Sequence, residues 1–161
     1  MVYKIKIHIP DQRLDVYDQG ELVKTYPVST GRKGVGQMKE SNQTPLGRHY
    51  IRAKIGEGQP LNTAFKDRRP TGVIYTPEIG AQTPGADWIL TRIMWLSGLE
   101  KGYNRLGDVD TMQRYIYIHG MPEDRRIDVP GSHGCIRMRN EDVVDLFDIV
   151  PAGTEVEIVN T

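Results

Sequence analysis

The 161-residue sequence has one cysteine, two phenylalanines and two tryptophans, and its 21 basic and 21 acidic residues cancel. A single cysteine excludes an internal disulfide, so the domain must be held by a packed core. Zero net charge argues against a dedicated nucleic-acid or anionic-membrane surface and leaves a small or zwitterionic partner as the better expectation. No apolar run reaches transmembrane length, and the opening residues MVYKIKIHI alternate where a secretory signal would be continuously apolar. A leader removed from the chain, another export route and a cytoplasmic protein all remain compatible with that opening.

Helical periodicity is also scarce. Strand-like alternation is present instead, at Lys4–Ile9, Arg13–Tyr17, Leu22–Val28, Arg48–Ile55, Trp88–Leu96, Tyr115–His119 and Thr154–Val159. Asp18-Gln19-Gly20-Glu21 reads as the hairpin connection between the second and third of these. The one clear helix candidate starts at Asn140 as a cap, places Val143, Val144, Leu146 and Phe147 on an apolar side, and stops at Pro151 and Gly153. Residues 56–85 carry too many glycines and prolines for continuous secondary structure and read as a long loop, a candidate cover for a cleft. The pattern predicts a single domain over residues 1–161, mainly β, a sandwich or barrel with one helix, long enough to bury roughly 70% of its unfolded surface.

The chemistry concentrates late in the chain. Ser132-His133-Gly134-Cys135 sets a histidine two positions before the lone cysteine, and in an extended segment His133, Cys135 and Arg137 share one face. A free thiol, with a pKa of about 8.5, needs a partner to become the thiolate nucleophile, and an adjacent imidazole and guanidinium favour the anion. The amides of Gly134 and Cys135 are candidate donors to an oxyanion, and Ser132 is a candidate to orient His133. Upstream, the alternating Tyr115-Ile116-Tyr117-Ile118-His119-Gly120 ends in a second His-Gly, so His119 and Gly120 are candidate cleft residues. A zinc site built from His119, His133 and Cys135 has an unusual spacing and would consume the thiolate, so no metal is expected. Papain-like peptidases place the cysteine early and the histidine far downstream, the reverse of the order here.

These segments resemble the YkuD-type L,D-transpeptidases, whose signature joins an upstream histidine to a Ser/Thr-His-Gly-Cys segment. The likeness extends to Ser29-Thr30-Gly31, Thr44-Pro45-Leu46-Gly47, Gly98-Leu99-Glu100 and Met138-Arg139-Asn140-Glu141-Asp142-Val143, and so covers nearly the whole chain. The sequence departs from the pattern in a short His119-to-Ser132 interval and in Arg137, where many relatives have asparagine.

The resemblance implies a cofactor-free cysteine acyltransferase. Cys135 would attack a peptidoglycan tetrapeptide stem with His133 as base, release D-alanine, and pass the acyl group to a neighbouring stem or an envelope lipoprotein lysine. It also implies a periplasmic or envelope location and acylation by carbapenem-type β-lactams. Hydrolysis by an L,D-carboxypeptidase, a silent cell-wall-binding module and an unrelated cysteine acyltransferase or amidase stay open as alternatives. Arg137 is the expected carboxylate anchor, with His119 and Gly120 beside it in substrate binding. Lys66-Asp67-Arg68-Arg69 reads as solvated surface in preference to a specific carboxylate clamp, Arg125, Arg126 and Arg139 as solvated surface, His8 and His49 as structural or surface residues, and Trp88, Trp95 and Tyr117 as core aromatics, with Trp95 or Tyr117 as alternative walls of the cleft.

Overall fold

The computed structural model describes residues 2–161. Strands β1 (Tyr3–His8), β2 (Arg13–Asp18) and β3 (Glu21–Pro27) form an antiparallel meander. In β1, Ile5 and Ile7 are fully buried while Lys4 and Lys6 point outward, the alternation expected of a sheet with one wet face. The β2–β3 connection is a two-residue turn with Gln19 and Gly20 both at positive φ, the conformation that a tight hairpin requires.

Strand β4 (Gly47–Ile55) lies further along the same sheet. Next come a short hairpin of β5 (Thr63–Lys66) and β6 (Arg69–Ile74), a single helical turn α1 (Pro77–Ala81), and the central strand β7 (Leu90–Gly98). The last elements are β8 (Tyr117–Gly120), β9 (Ile136–Met138), helix α2 (Asn140–Ile149) and β10 (Glu155–Val159). The sheet runs β3-β2-β1-β10-β4-β7-β5-β6, with β8 branching from β7 and β9 added parallel to β8. Strand β10 pairs parallel with β1, tying the last strand to the first.

Helix α2 closes the core by burying Val143, Leu146 and Phe147 among Ile5, Ile51, Met94, Ile118, Ile136 and Val156. Each such side chain contributes about 1.5–3 kcal/mol by leaving water. Strand β7, buried over eight of its nine residues, carries the load between β4 on one edge and β8 on the other.

Two expectations need correction. Residues 56–85 hold a hairpin and a helical turn, because each breaker ends a short element instead of abolishing it; Gly72, for example, sits at positive φ inside β6. Arg139, not Asn140, occupies the helix N-cap, and the buried Asn140 side chain is spent elsewhere. Its Nδ2 donates to Met121 O at 2.9 Å and its Oδ1 accepts from Thr91 Oγ1 at 2.5 Å, joining α2 to β7 and to the loop after His119.

Candidate active site

Cys135 stands at the entrance to β9, on a turn clamped by the early part of the chain. Thr30 O accepts the amides of Gly131 and Ser132, while Ser29 and Arg137 exchange backbone hydrogen bonds at 2.8 and 2.9 Å. Thr44 Oγ1 donates to Gly134 O at 2.9 Å and accepts from Gly31 N at 2.8 Å. The Ser29-Thr30-Gly31 and Thr44 segments therefore hold the turn that carries the sulfur. Gly134 lies at φ +117°, and a Cβ there would sit 2.9 Å from Gln43 O, so only glycine fits without a shift.

The Cys135 sulfur is half-buried against Ile93 and Tyr117. It accepts from the Tyr117 amide at 3.3 Å and donates to Tyr115 O at 3.4 Å. Burial pushes its pKa up to about 12, outweighing that amide bond and the Arg137 and Arg114 charges, so the resting group is a thiol. The imidazole of His133 makes its polar contact away from the sulfur. His133 Nδ1 lies 3.5 Å from Asp87 Oδ2, and the side chain is 56% exposed.

His119 is the opposite case. It is fully buried on β8, its Nδ1 donates to Gly120 O at 2.6 Å, and its Nε2 has no partner among the described residues. Burial lowers its pKa, so the ring is neutral, with the proton on Nδ1 and a bare lone pair on Nε2. The parallel register sets His119 opposite Arg137, two residues, or about 6–7 Å of strand, beyond the level where Tyr117 meets Cys135.

Asp87 joins these groups. Its Oδ1 accepts from Arg137 Nη2 at 2.6 Å, and its side chain is 27% exposed against 7% for Arg137. Burial pushes the Asp87 carboxyl up, but the His119 and Arg137 charges and the Arg137 hydrogen bond hold it below the ordinary carboxylate range. With His119 neutral, Arg137 is the cause that operates near pH 7.

A cleft of about 360 Å³ opens over the sulfur, with Asp87, His133, Cys135, Arg68 and Arg114 among its walls. A second recess of about 350 Å³ shares Arg114, Tyr115, Ile116 and His133 with it, so the two flank His133. Arg114 is half-buried and spends its guanidinium on Gly36 O, Gln37 O, Ser41 Oγ and Gln43 O. Among the described residues, no group of three or more His, Cys, Asp or Glu side chains is arranged to hold a metal ion.

Of the residues singled out from sequence, Cys135 and His133 face the cleft and His119 lies buried beside Arg137. Four of these residues make contacts other than the expected ones. Arg137 turns under the cleft floor onto Asp87 and Gly131 O, so it is not free for a substrate carboxylate. The Gly134 amide donates to Ser132 Oγ at 3.0 Å instead of facing an oxyanion, and Ser132 Oγ itself donates to Cys135 O at 2.6 Å, bracing the turn and not His133. Gly120 is buried and serves His119 through its carbonyl. Sequence reasoning missed Asp87, Arg114 and Arg68; the last was read as surface because nothing local shows that the β5–β6 turn folds back over Tyr115.

The L,D-transpeptidase catalytic domain model of the YkuD family matches residues 2–158. The YkuD protein of Bacillus licheniformis is 30% identical over 156 residues, covering 97% of this chain and 65% of that protein. The YcfS protein of Escherichia coli is 46% identical over 161 residues, covering 98% and 44%. This chain thus spans about two thirds or less of those relatives. Among solved structures, L,D-transpeptidase 3 of Mycobacterium tuberculosis in complex with a faropenem-derived adduct superposes with a TM-score of 0.60 at 16% identity, over 98% of this chain and 60% of that one. The Enterococcus faecium L,D-transpeptidase gives 0.58 at 17%, over 99% and 50%; at such identities the likeness is one of fold. With a family match running almost from end to end and a lone cysteine at the mouth of its cleft, this chain belongs to the YkuD family of L,D-transpeptidase catalytic domains.

Proposed function

We propose that the chain is a peptidoglycan L,D-transpeptidase that works through a thioester on Cys135. The observation that carries this reading is a cysteine at the mouth of an open cleft with a neutral, buried histidine two residues further along the paired strand, whose Nε2 is unpartnered among the described residues. A buried acceptor lone pair left unsatisfied costs free energy, and a proton-accepting role accounts for its retention. His119, fixed in one tautomer by Gly120 O, is favoured as the base over His133, which is exposed and held by Asp87.

Cys135 Sγ gives its proton to His119 Nε2 and attacks the carbonyl carbon at the L-centre of the third stem residue, usually meso-diaminopimelate. The tetrahedral adduct collapses as the carbon–nitrogen bond breaks, the proton passes from His119 to the departing amine, and D-alanine leaves. An amine of a neighbouring stem or of an envelope lipoprotein lysine then attacks the thioester, loses its proton to His119, and the thiol is restored. With the Gly134 amide engaged, the Cys135 amide remains as the backbone donor toward the oxyanion. Two recesses flanking His133 suit a donor and an acceptor, which favours transfer over hydrolysis. The protein would act in the envelope, without a cofactor, and be acylated by carbapenem-type β-lactams, in keeping with the imipenem complex of another solved L,D-transpeptidase and the faropenem-derived adduct in the M. tuberculosis neighbour.

The test is mass spectrometry of protein and products after incubation with a disaccharide-tetrapeptide, using the wild type, Cys135→Ala, His119→Asn and His133→Asn. Cross-linked dimer, released D-alanine and a thioester adduct are expected, all absent in Cys135→Ala. Loss of the base should slow acylation by about 10²–10⁴-fold, in His119→Asn more than in His133→Asn. The reverse ranking would return the base to His133. Tripeptide alone would make the protein a carboxypeptidase, and no adduct would sink the reading.

A further inference from the structure

We propose that Arg68, at the tip of the β5–β6 hairpin, is the carboxylate anchor of the donor site, the role that Arg137 cannot fill. The inference rests on the transpeptidase reading and names the ligand chemistry that the same cleft takes. Its guanidinium stands 4.9 Å from the Tyr115 ring centroid and 5.1 Å from that of Trp95, and Nη1 donates to Tyr117 Oη at 3.1 Å. Tyr117 is also the residue whose amide holds the Cys135 sulfur, so the guanidinium is fixed one side chain away from the nucleophile.

The three arginines around the cleft differ in what they have left to offer. Arg114 spends both of its terminal nitrogens on three carbonyls and a hydroxyl, which leaves no two-donor fork open, and Arg137 is neutralised by Asp87. Arg68 has one hydrogen bond and no ion pair among the described residues; even Asp67, its neighbour in the turn, makes none with it. Among the described residues its Nε and Nη2 edge makes no hydrogen bond, and that edge is the flat fork that matches a carboxylate with two parallel bonds. Stacking on two aromatic rings has already cost the side chain its freedom, so little more is lost when a ligand docks.

Backbone conformation gives a second, independent observation. Lys66 pairs with Arg69 across a two-residue turn, and both central residues lie at positive φ, Asp67 at 49° and Arg68 at 64°. Such turns favour glycine or asparagine at the second position, and an arginine there is held at a conformational cost. A residue retained against its backbone preference, stacked over the nucleophile's wall with an open fork, fits ligand recognition.

A stem tetrapeptide with the free carboxyl of its second residue amidated throughout offers two carboxylates near the attacked carbonyl, one on the side chain of a diamino diacid at position three and one at the C-terminal D-alanine. Both present the same chemistry, and the experiment separates them. Calorimetry would follow the binding of four tetrapeptides to Cys135→Ala protein, with neither carboxylate, one, the other, or both converted to the amide. The series is repeated with Arg68→Gln, Arg68→Lys and Arg68→Gly added; the glycine variant suits the turn and so guards against misfolding. With Arg68 present, amidating the anchored carboxylate should weaken binding about tenfold or more, the worth of a charge-assisted pair. Arg68→Gln and Arg68→Gly should bind acid and amide alike, and Arg68→Lys should keep part of the preference. The amide that abolishes the preference identifies the carboxylate. An acid preference undiminished in Arg68→Gln, or none with Arg68 in place, would overturn the anchor while leaving turnover by the intact enzyme unaffected as evidence for transfer. Failure of every peptide both to bind and to react would remove the transpeptidase reading and the anchor together.

Discussion

Replacing Asp87 with asparagine removes a charge while keeping the shape of the group that Arg137 holds at 2.6 Å. Breaking a fully buried ion pair costs about 3–5 kcal/mol, because the survivor is left charged and unpaired. Arg137, with a side chain 7% exposed, fits that limit, but Asp87 at 27% lets water reach the pair, and asparagine still offers an acceptor. We therefore expect a loss of about 2 kcal/mol, which at a urea m-value of about 2 kcal/mol per molar moves the unfolding midpoint by about 1 M. A double-mutant cycle with Arg137→Gln isolates the pair, and its coupling should also be about 2 kcal/mol. The pH dependence follows from the depressed Asp87 pKa. A carboxyl whose folded value lies below its unfolded one stabilises the fold above about pH 3.9 and loses that contribution as the pH falls through the folded value. The gap between wild type and Asp87→Asn should therefore hold from pH 7 to about 4 and narrow below. Coupling under about 0.5 kcal/mol, or a gap unchanged in acid, would refute this account of how the cleft floor is held.

Gly134→Ala places a methyl against Gln43 O at a residue with φ +117°, so the fold should survive while the turn shifts and carbapenem acylation of Cys135, followed by mass spectrometry, slows at least about tenfold; an unchanged rate would show that the turn tolerates the side chain. His49 is buried, bonded to Gly47 O and Thr111 Oγ1, and burial lowers its pKa to about 4. Between about pH 6.5 and 4 the unfolded state binds a proton that the folded state refuses, so about 3 kcal/mol of stability should drain away as the pH falls through that range. Urea midpoints at several pH values check this, and a flat wild-type profile, or one that His49→Gln leaves equally steep, contradicts it.

Much of the architecture was legible because strand period and turn chemistry are local. Ile5 and Ile7 alternating with lysines, Gln19-Gly20 between two strands, and the Val143, Leu146 and Phe147 face of α2 each encode their element within a few residues. The region around Asp87 was not legible, since short strands broken by glycine and proline carry no period long enough to read.

The sequence by itself determined the family, because a lone cysteine after His-Gly, with a second His-Gly upstream, is a pattern that survives whatever the packing. Tertiary structure decided which group does what. Two histidines with the same dipeptide context part company because β8 is buried and the turn before β9 is exposed, leaving His119 neutral with a bare Nε2 and His133 in the cleft wall. Two arginines part for the same reason: Arg137 shares the strand-face spacing of the cysteine but lies under Asp87, while Arg68, distant in sequence, is carried over the cleft by a hairpin. Charge, tautomer and hydrogen-bond capacity depend on burial and on partners from other strands, and a linear pattern does not contain those partners.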